Sequence, residues 1–339
     1  MASKVPVGVI GLGRLGSQHA LNIATKILNA KLTAVADPVN AQLDKFVELF
    51  DNIKTYNDYR DLLKDSSIKA VVIASPTRMH AKIAEDAIKA GKYVYCEKPL
   101  AFGLEEAKYI KDLVEEKNAF FQIGFMRRFD PGYAAAKEKI VKGEIGDPIY
   151  FSSISRDPSA PPKEFVKDSG GLFIDMCIHD IDIARWYMGA EIESVSAHGG
   201  VIMYDFLKEY KDIDQAMITV KFDNGSLGSI EGSRNSTYGY DIRTEIVGTK
   251  GAIMIGQWQH KPFLLLNSSG LIKETVPAFP ERFKDAYLLE LQSFVDNIVS
   301  GKSPVVNAND GYVAMKVAIK AKESFEKGTI IPIILENDL

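Results

Sequence analysis

Short apolar runs alternate with segments of helical spacing along residues 1–125 of the chain. The apolar runs predict strands, and apolar residues spaced three and four apart predict helices. The predicted strands are 5–10, 32–36, one near Ile53, 69–75, 93–96 and 120–123, and the predicted helices include 15–28, 40–49, 79–90 and 104–117. Strands that alternate with helices and are apolar throughout predict a doubly wound parallel sheet, the α/β Rossmann fold.

The pattern changes after Gly124, where several strand candidates follow one another without intervening helices. Helices are predicted at 130–141, 170–188, 283–300 and 309–326, and strands at 148–155, 192–202, 214–222, 226–233, 241–248 and 251–255. Short turns such as Asp223-Asn224-Gly225 predict a mostly antiparallel, open-faced sheet. The sequence therefore predicts two domains: a Rossmann domain over 1–125, and an α+β domain for substrate binding and oligomerisation over 126–339.

A glycine motif, Gly11-x-Gly13-x-x-Gly16, joins the first predicted strand to the first predicted helix. Gly11 permits the tight turn, Gly13 lets the backbone approach a pyrophosphate, and Gly16 lets the helix pack closely on the sheet. The free N–H groups at the start of the helix suit phosphates. The expected cofactor-binding residues of this turn are Gly11, Leu12, Gly13, Arg14, Leu15 and Gly16.

Asp37 ends the second predicted strand and completes the dinucleotide-binding fingerprint. Its carboxylate can accept hydrogen bonds from both hydroxyls of the adenosine ribose, and its charge would repel the 2′-phosphate of NADP. The residues that follow, Pro38-Val39-Asn40, include no Lys or Arg that could offset this charge. We therefore predict NAD rather than NADP as the cofactor.

Composition excludes several other classes of protein. The chain has 339 residues, 46% of them hydrophobic and 25% charged, with a net charge of −4 and no block of basic residues, which argues against nucleic acid binding. No apolar run reaches the roughly 18–20 residues of a membrane span, and the first strand leaves no room for a signal peptide. The two cysteines, Cys96 and Cys177, do not suit a disulfide framework or a zinc site. We expect a cytoplasmic protein.

Further motifs carry a resemblance to a known family. They are Glu97-Lys98-Pro99-Leu100, Gly170-Gly171 leading to Asp175-x-x-x-His179-x-x-Asp182, Tyr287-x-x-Glu290-Leu291-x-x-Phe294, Gly301-Lys302 and Asp310-Gly311. With the glycine motif they resemble the glucose–fructose oxidoreductase, inositol dehydrogenase and MocA family over essentially the whole chain. The segment Gly124–Asp130 is most similar to bacterial inositol 2-dehydrogenases. The resemblance implies NAD-dependent oxidation of a polyol, a homotetramer and a cis Lys98–Pro99 bond.

Lys98 follows the fifth predicted strand, at the sheet edge where open α/β sheets bind ligands. An ammonium fixed there can stabilise the alkoxide charge that develops on a reacting hydroxyl, although an isolated lysine is usually solvated. Glu97 before it, and Ser75 after the fourth strand, are expected to contribute to the cofactor site. The resemblance also implies that Thr77 and His80 lie near the cofactor, whereas His80 taken alone could equally be a capping or core histidine.

Asp175 and His179 are four residues apart on a predicted helix and so share one face. Alcohol oxidation needs a base for the hydroxyl proton, and histidine, with an ordinary pKa near ~6.5, suits that task. Asp175 could bind substrate hydroxyls or orient the imidazole. The alternative is a surface ion pair, but the neighbouring motifs favour a catalytic set of Lys98, Asp175 and His179. The five histidines lack metal-ligand spacing, so we predict no metal.

Several polar residues could hold the hydroxyls of a cyclic polyol. Besides the catalytic set, these candidates are Arg127, Asp157, Asp182 and Tyr238. For Arg127 the alternative is a salt bridge with an acid such as Asp130.

The function expected from these motifs is oxidation of a ring hydroxyl of myo- or scyllo-inositol to the keto-inositol. Hydride would pass to the nicotinamide while His179 acts as acid and base. The alternatives are another sugar or polyol dehydrogenase of the same family and a nonenzymatic NAD-sensing regulator.

Overall fold

The computed structural model describes residues 4–256, 265–268 and 270–334. These residues group into two compact units. The first unit is Met1–Met126 together with Asp285–Val313, and the second is Arg127–Lys284 together with Ala314–Leu339.

The first unit contains a six-stranded, all-parallel sheet with strand order β3-β2-β1-β4-β5-β6. Its strands are β1 (Val5–Ile10), β2 (Ala30–Ala36), β3 (Lys54–Tyr56), β4 (Ala70–Ile73), β5 (Tyr93–Glu97) and β6 (Phe121–Gly124). The helices between them are α1 (Arg14–Thr25), α2 (Asn40–Leu49), α3 (Tyr59–Lys64), α4 (Thr77–Lys89) and α5 (Leu104–Lys117). The predicted Rossmann architecture is confirmed; only the short helix α3 was not predicted.

The second unit is built on a seven-stranded sheet. Its strands are β7 (Pro148–Arg156), β8 (Ile192–Gly200), β9 (Gln215–Phe222), β10 (Leu227–Ser233), β11 (Asp241–Gly248), β12 (Ala252–Gly256) and β15 (Ile331–Pro332), while β13 (Leu265–Asn267) and β14 (Gly270–Ile272) form a separate hairpin. The order is β12-β11-β7-β10-β9-β8-β15. Only β7 and β10 pair in parallel, so the prediction of a mostly antiparallel sheet is confirmed.

Six helices accompany the later part of the described chain. They are α6 (Pro131–Val141), α7 (Lys163–Ser169), α8 (Ile178–Met188), α9 (Phe279–Arg282), α10 (Lys284–Ser300) and α11 (Ala308–Lys327). A 3₁₀ turn at Met126–Phe129 precedes α6, and a second such turn spans Asp205–Tyr210.

Helix α10 groups with the first unit, whereas the sequence-based boundary assigned everything after residue 125 to the second. The reason is apolar packing: Leu291, Phe294 and Val295 belong to the same buried cluster as β1 and β4. Phe294 meets the Tyr95 ring edge-on at 5.8 Å between centroids. This packing completes the core of the parallel sheet.

The predicted helix over 170–188 is not one regular α-helix. Helix α7 ends at Gly170, a π-helical turn spans Phe173–Cys177, and α8 begins at Ile178. Gly171 has φ +86°, and a Cβ there would lie 2.7 Å from Asp212 Oδ1, so this position requires glycine. π-Helical turns occur frequently at functional sites, and this one carries Asp175.

One face of the second sheet is buried and the other is mixed rather than purely apolar. Along β9, Ala216, Ile218, Val220 and Phe222 are buried, and the residues between them are exposed or half-buried. On the latter side Met217 is exposed, but Arg156 also forms a two-point ion pair with Glu231 there. The expected apolar face therefore carries charge at its centre. Within the described residues, no helix is long and apolar enough to cross a bilayer.

Candidate active site

The β1–α1 turn leaves open space where a dinucleotide pyrophosphate would approach. A Cβ on Gly13 would meet no described atom within 4 Å, whereas a Cβ on Gly16 would lie 1.9 Å from the Gly11 carbonyl oxygen. Gly11 itself has φ +89°. Gly13 precedes α1, so the N–H groups of the first helical turn face this space. The geometry fits a dinucleotide.

The other residues of this turn have different surroundings. Leu12 is buried, while Leu15 is half-buried and Arg14 is exposed at the start of α1. Arg14 therefore places a guanidinium beside the positive end of the helix, where an anion would be favoured.

Asp37, just after β2, holds the glycine turn. Its Oδ2 accepts a hydrogen bond from Leu12 N at 2.7 Å, and its Oδ1 accepts one from Val39 N at 2.9 Å. A carboxylate has about four acceptor positions, so both oxygens retain capacity for ribose hydroxyls. The Asp37 side chain is thus oriented by the backbone that it also anchors.

His80 is a buried bridge between two loops. Its Nδ1 lies 2.8 Å from the Pro99 carbonyl oxygen and its Nε2 lies 2.9 Å from the Ser75 carbonyl oxygen. Burial lowers the pKa of His80, and a neutral ring donates to only one of these two oxygens. The structure thus favours the core interpretation of His80. Thr77, the first residue of α4, is half-buried.

Lys98 follows β5 at the carboxyl edge of the sheet and is half-buried. The Lys98–Pro99 peptide is cis, as the resemblance implied. The contribution of Glu97 to the cofactor site stays a prediction. Its Oε1 lies 2.7 Å from His19 Nε2 and accepts from the Tyr95 hydroxyl at 3.0 Å. These are contacts inside the first unit.

In the second unit, Asp175 lies in the π-helical turn and His179 in the first turn of α8. Arg234, which the sequence did not single out, lies fully buried beside Asp175. Its Nη2 is 3.7 Å from Asp175 Oδ2, and its Nη1 donates to Asp212 Oδ2 at 2.6 Å. Asp212 in turn accepts from Leu172 N at 2.8 Å, so this ion pair anchors the segment that carries Asp175.

Arg127 is a buried ion-pair residue rather than an accessible substrate ligand. Its Nη1 donates to Asp180 Oδ1 at 2.7 Å and its Nη2 donates to Ser155 Oγ at 3.0 Å. Burial lowers the pKa of Arg127, but the charge and hydrogen bond of Asp180, together with the nearby Tyr133 and Tyr240, raise it overall. The suggested partner Asp130 instead caps α6 and pairs with Arg282 at 2.6 Å.

Asp182 has a similar structural role on α8. Its Oδ2 accepts from Arg128 Nε at 2.9 Å, and the Asp182 side chain is buried. This pairing argues against Asp182 as a polyol ligand and leaves Asp175 and His179 as the polar candidates of this segment.

The two remaining candidates lie after strands of the second sheet. The Tyr238 hydroxyl donates to Asp241 Oδ2 at 2.7 Å and accepts from Arg156 Nη1 at 2.9 Å. Neighbouring Ser155 donates to Asp180 of α8, so Arg156 points to the opposite face of the sheet. The Tyr238 hydroxyl is thus engaged away from α8, while Asp157 is half-buried directly after β7.

Within the described ranges, no group of three or more His, Cys, Asp or Glu residues is arranged to hold a metal ion. Lys98 in the first unit, and Asp175 and His179 in the second, stay the predicted catalytic residues.

A parallel sheet with a glycine turn and an anchored Asp37 defines a dinucleotide-binding protein, here joined to an α/β domain. Residues 5–125 match the family description "Oxidoreductase family, NAD-binding Rossmann fold", and residues 137–333 match "Oxidoreductase family, C-terminal alpha/beta domain". The chain belongs to the glucose–fructose oxidoreductase, inositol dehydrogenase and MocA family, as its motifs predicted.

Relatives named for an activity match nearly the whole chain. The chain is 44% identical to "scyllo-inositol 2-dehydrogenase (NAD(+))" of Bacillus subtilis (strain 168), over 97% of this chain and 96% of that protein. It is 37% identical to "Myo-inositol 2-dehydrogenase" of Thermotoga maritima, over 95% and 96%. A crystal structure of scyllo-inositol dehydrogenase from Lactobacillus casei with NAD(H) and scyllo-inositol is 38% identical, with a TM-score of 0.91 and coverage of 97% and 99%.

Gly13 and Gly16 should respond differently to replacement by alanine. Gly13→Ala should leave the free energy of unfolding nearly unchanged and weaken NAD binding about tenfold or more, because the new Cβ occupies the open space. Gly16→Ala should destabilise the protein by about 1–3 kcal/mol, because its Cβ overlaps the Gly11 carbonyl. Urea unfolding and calorimetric titration with NAD measure both effects. Equal NAD affinity in Gly13→Ala and wild type would contradict this account of the turn.

Replacing Arg127 tests whether it supports the fold or binds substrate. Arg127→Met leaves the buried Asp180 without its cation and should lower the free energy of unfolding by about 3–5 kcal/mol. The control Lys139→Met removes an exposed ion pair of the same unit and should change it by less than about 1 kcal/mol. A stable Arg127→Met protein with a raised substrate KM would instead make Arg127 a substrate ligand.

Proposed function

We propose that this protein is an NAD-dependent inositol 2-dehydrogenase that oxidises a ring hydroxyl of scyllo- or myo-inositol to the keto-inositol. The observation that carries the proposal is similarity along both units, at 44% identity over 97% of the chain, to a protein named for this reaction with NAD. The open glycine turn and the anchored Asp37 support a dinucleotide site. The Lactobacillus casei relative binds NAD(H) and scyllo-inositol.

The proposed mechanism assigns one task to each candidate side chain. His179 removes the proton of the reacting hydroxyl, a role for which imidazole is suited near neutral pH. Lys98 donates a hydrogen bond to the same oxygen and stabilises its developing negative charge. Asp175 accepts hydrogen bonds from substrate hydroxyls or orients His179. When bound, NAD accepts the hydride released from the ring carbon.

The assembly and the location of the protein are also proposed. Exposed apolar side chains on the second sheet, among them Met217, Leu227 and Met254, support a homotetramer in which this face is covered. Cys96 and Cys177 are buried and not joined to each other, which suits a reducing compartment such as the cytoplasm.

A substrate panel with NAD tests the proposed activity. Absorbance of NADH should rise with scyllo- or myo-inositol and much less with D-chiro-inositol or glucose, and the ratio of rates identifies the preferred isomer. Lys98→Met and His179→Ala should each lower kcat by at least about 100-fold. Lys89→Met, which removes an exposed lysine of α4, should leave kcat unchanged. Turnover of glucose alone would indicate another sugar dehydrogenase, and NAD binding without any turnover would indicate a regulator.

Removing the charge of Asp37 tests the cofactor preference. In Asp37→Ala the ratio of kcat/KM for NAD to that for NADP should fall at least about tenfold, because repulsion of the 2′-phosphate is lost. Asp44→Ala, at an exposed position on α2, is the control and should preserve the ratio. An unchanged preference in Asp37→Ala would overturn the role given to this carboxylate.

A further inference from the structure

Behind Lys98, the first unit contains a chain of buried polar side chains for which the proposed mechanism gives no task. Its members are His19 on α1, Tyr95 and Glu97 on β5, Gln122 on β6 and Glu290 on α10, none more than 6% exposed. We name these five residues the β5 polar chain. Polar groups are rarely buried in such numbers without a structural or catalytic reason, since each must be satisfied by a partner.

Tyr95 is the centre of the β5 polar chain. Its hydroxyl lies 2.7 Å from Glu290 Oε2 and 3.0 Å from Glu97 Oε1. Gln122 Nε2 donates to the Glu290 backbone carbonyl at 3.2 Å. Residue 290 is thereby tied to the end of β5, although the two are almost 200 residues apart in sequence.

His19 fixes the other side of Glu97. Its Nε2 lies 2.7 Å from Glu97 Oε1, and its buried Nδ1 has no hydrogen-bond partner within the described part of the chain. A proton on Nδ1 would therefore be buried without an acceptor, so the tautomer protonated on Nε2 is the one that the geometry fits. In that tautomer His19 donates to Glu97.

The Tyr95 hydroxyl has one proton and lies within hydrogen-bond distance of two carboxyl groups. Burial, followed by the charges of Glu290 and Glu97, raises the pKa of Tyr95 well above its usual value, so the phenol keeps its proton. One hydroxyl proton cannot be donated to two carboxylates at once. Both short contacts are hydrogen bonds only when one of the two carboxyl groups is itself protonated.

Glu97 has little freedom to turn in this arrangement. A Cβ on Gly124 would lie 2.8 Å from the Tyr95 hydroxyl oxygen and 2.9 Å from Glu97 Oε2, so the strand beside it is also in close contact. Glu97 is the residue directly before Lys98. On the other side of Lys98, the Pro99 carbonyl oxygen lies 2.8 Å from His80 Nδ1. Lys98 is therefore flanked by two tethered residues.

We propose that Tyr95, together with His19 and Glu290, positions Lys98 for catalysis by holding the Glu97 carboxylate at the end of β5. This inference rests on the proposed role of Lys98 in inositol oxidation. A lysine side chain has four rotatable bonds, and the placement of its ammonium depends on a fixed backbone. The β5 polar chain holds the backbone before Lys98, and His80 holds the backbone after it.

The first test removes one hydroxyl. Tyr95→Phe should lower kcat roughly 10- to 100-fold, because small errors in the position of a catalytic group are costly. The KM for NAD should stay within about twofold, because the glycine turn is untouched. Tyr93→Phe, two residues earlier on β5 and exposed, is the matched control and should behave like wild type.

The isotope effect separates positioning from general loss of structure. With substrate deuterated at the reacting carbon, Tyr95→Phe should show a larger isotope effect on kcat than wild type, because the chemical step becomes slower relative to product release. A variant that is merely partly unfolded would contain less active protein but would show the same isotope effect on kcat as wild type. An unchanged isotope effect together with unchanged kcat would overturn the proposal.

A double variant tests whether Tyr95 acts through Lys98. In the Lys98→Met background, Tyr95→Phe should lower the residual rate by less than about threefold, since residues that act as a unit are not additive. Independent, multiplicative losses would overturn the proposal. If Tyr95→Phe fails to fold, Gly124→Ala perturbs the same two groups without removing either and should show the same loss of kcat.

The outcomes also separate this inference from the proposed function. Wild-type turnover in Lys98→Met would overturn the role of Lys98 and the positioning proposal with it. Impaired turnover in Lys98→Met, with Tyr95→Phe indistinguishable from Tyr93→Phe, would overturn the positioning proposal alone.

Discussion

A carboxylate removed from water must accept hydrogen bonds or face a cation, because an unpaired buried charge is strongly destabilising. Three buried carboxylates meet this requirement here, two by holding a loop and one by holding the end of a strand. Asp37 accepts from the glycine turn, Glu97 lies against His19 and Tyr95 at the end of β5, and Asp212 holds Leu172 N and Arg234. These are the segments that carry the candidate cofactor and catalytic residues, so burial of charge determines where those residues lie.

The same constraint explains how α8 is held. Asp180 and Asp182, on either side of Ile181, pair with Arg127 and Arg128 of the preceding 3₁₀ turn. His179 comes directly before the first of these anchored residues. Two buried ion pairs, rather than apolar packing alone, therefore fix the rotation of the helix that presents the proposed base. If either ion pair were broken, an unpaired charge would remain in the interior, so small rotations of α8 are energetically unfavourable.

The sequence predicts the parallel sheet well because its strands are short apolar runs separated by helical spacing, a signal contained within each segment. Long-range contacts are invisible to that signal. The packing of Phe294 on Tyr95 and the pairing of Arg234 with Asp212 join residues that are far apart in sequence. The burial of Arg127 could not be predicted either, because an arginine within a motif looks the same in the sequence whether it faces a substrate or Asp180. The roles of Lys98, Asp175 and His179 stay predictions.

The position of α10 has a consequence for what counts as a functional unit in this chain. Leu291, Phe294 and Val295 complete the apolar core of the parallel sheet, and Glu290 on the same helix reaches the Tyr95 hydroxyl. A fragment ending at residue 126 would lack α10 and would expose that core. Of the two carboxyl groups that lie near the Tyr95 hydroxyl, only that of Glu97 would remain. The dinucleotide-binding fold is therefore completed by a helix encoded after six of the seven described strands of the second sheet. One face of that helix serves stability through Phe294, while its neighbour Glu290 links the same packing to the strand that presents Lys98.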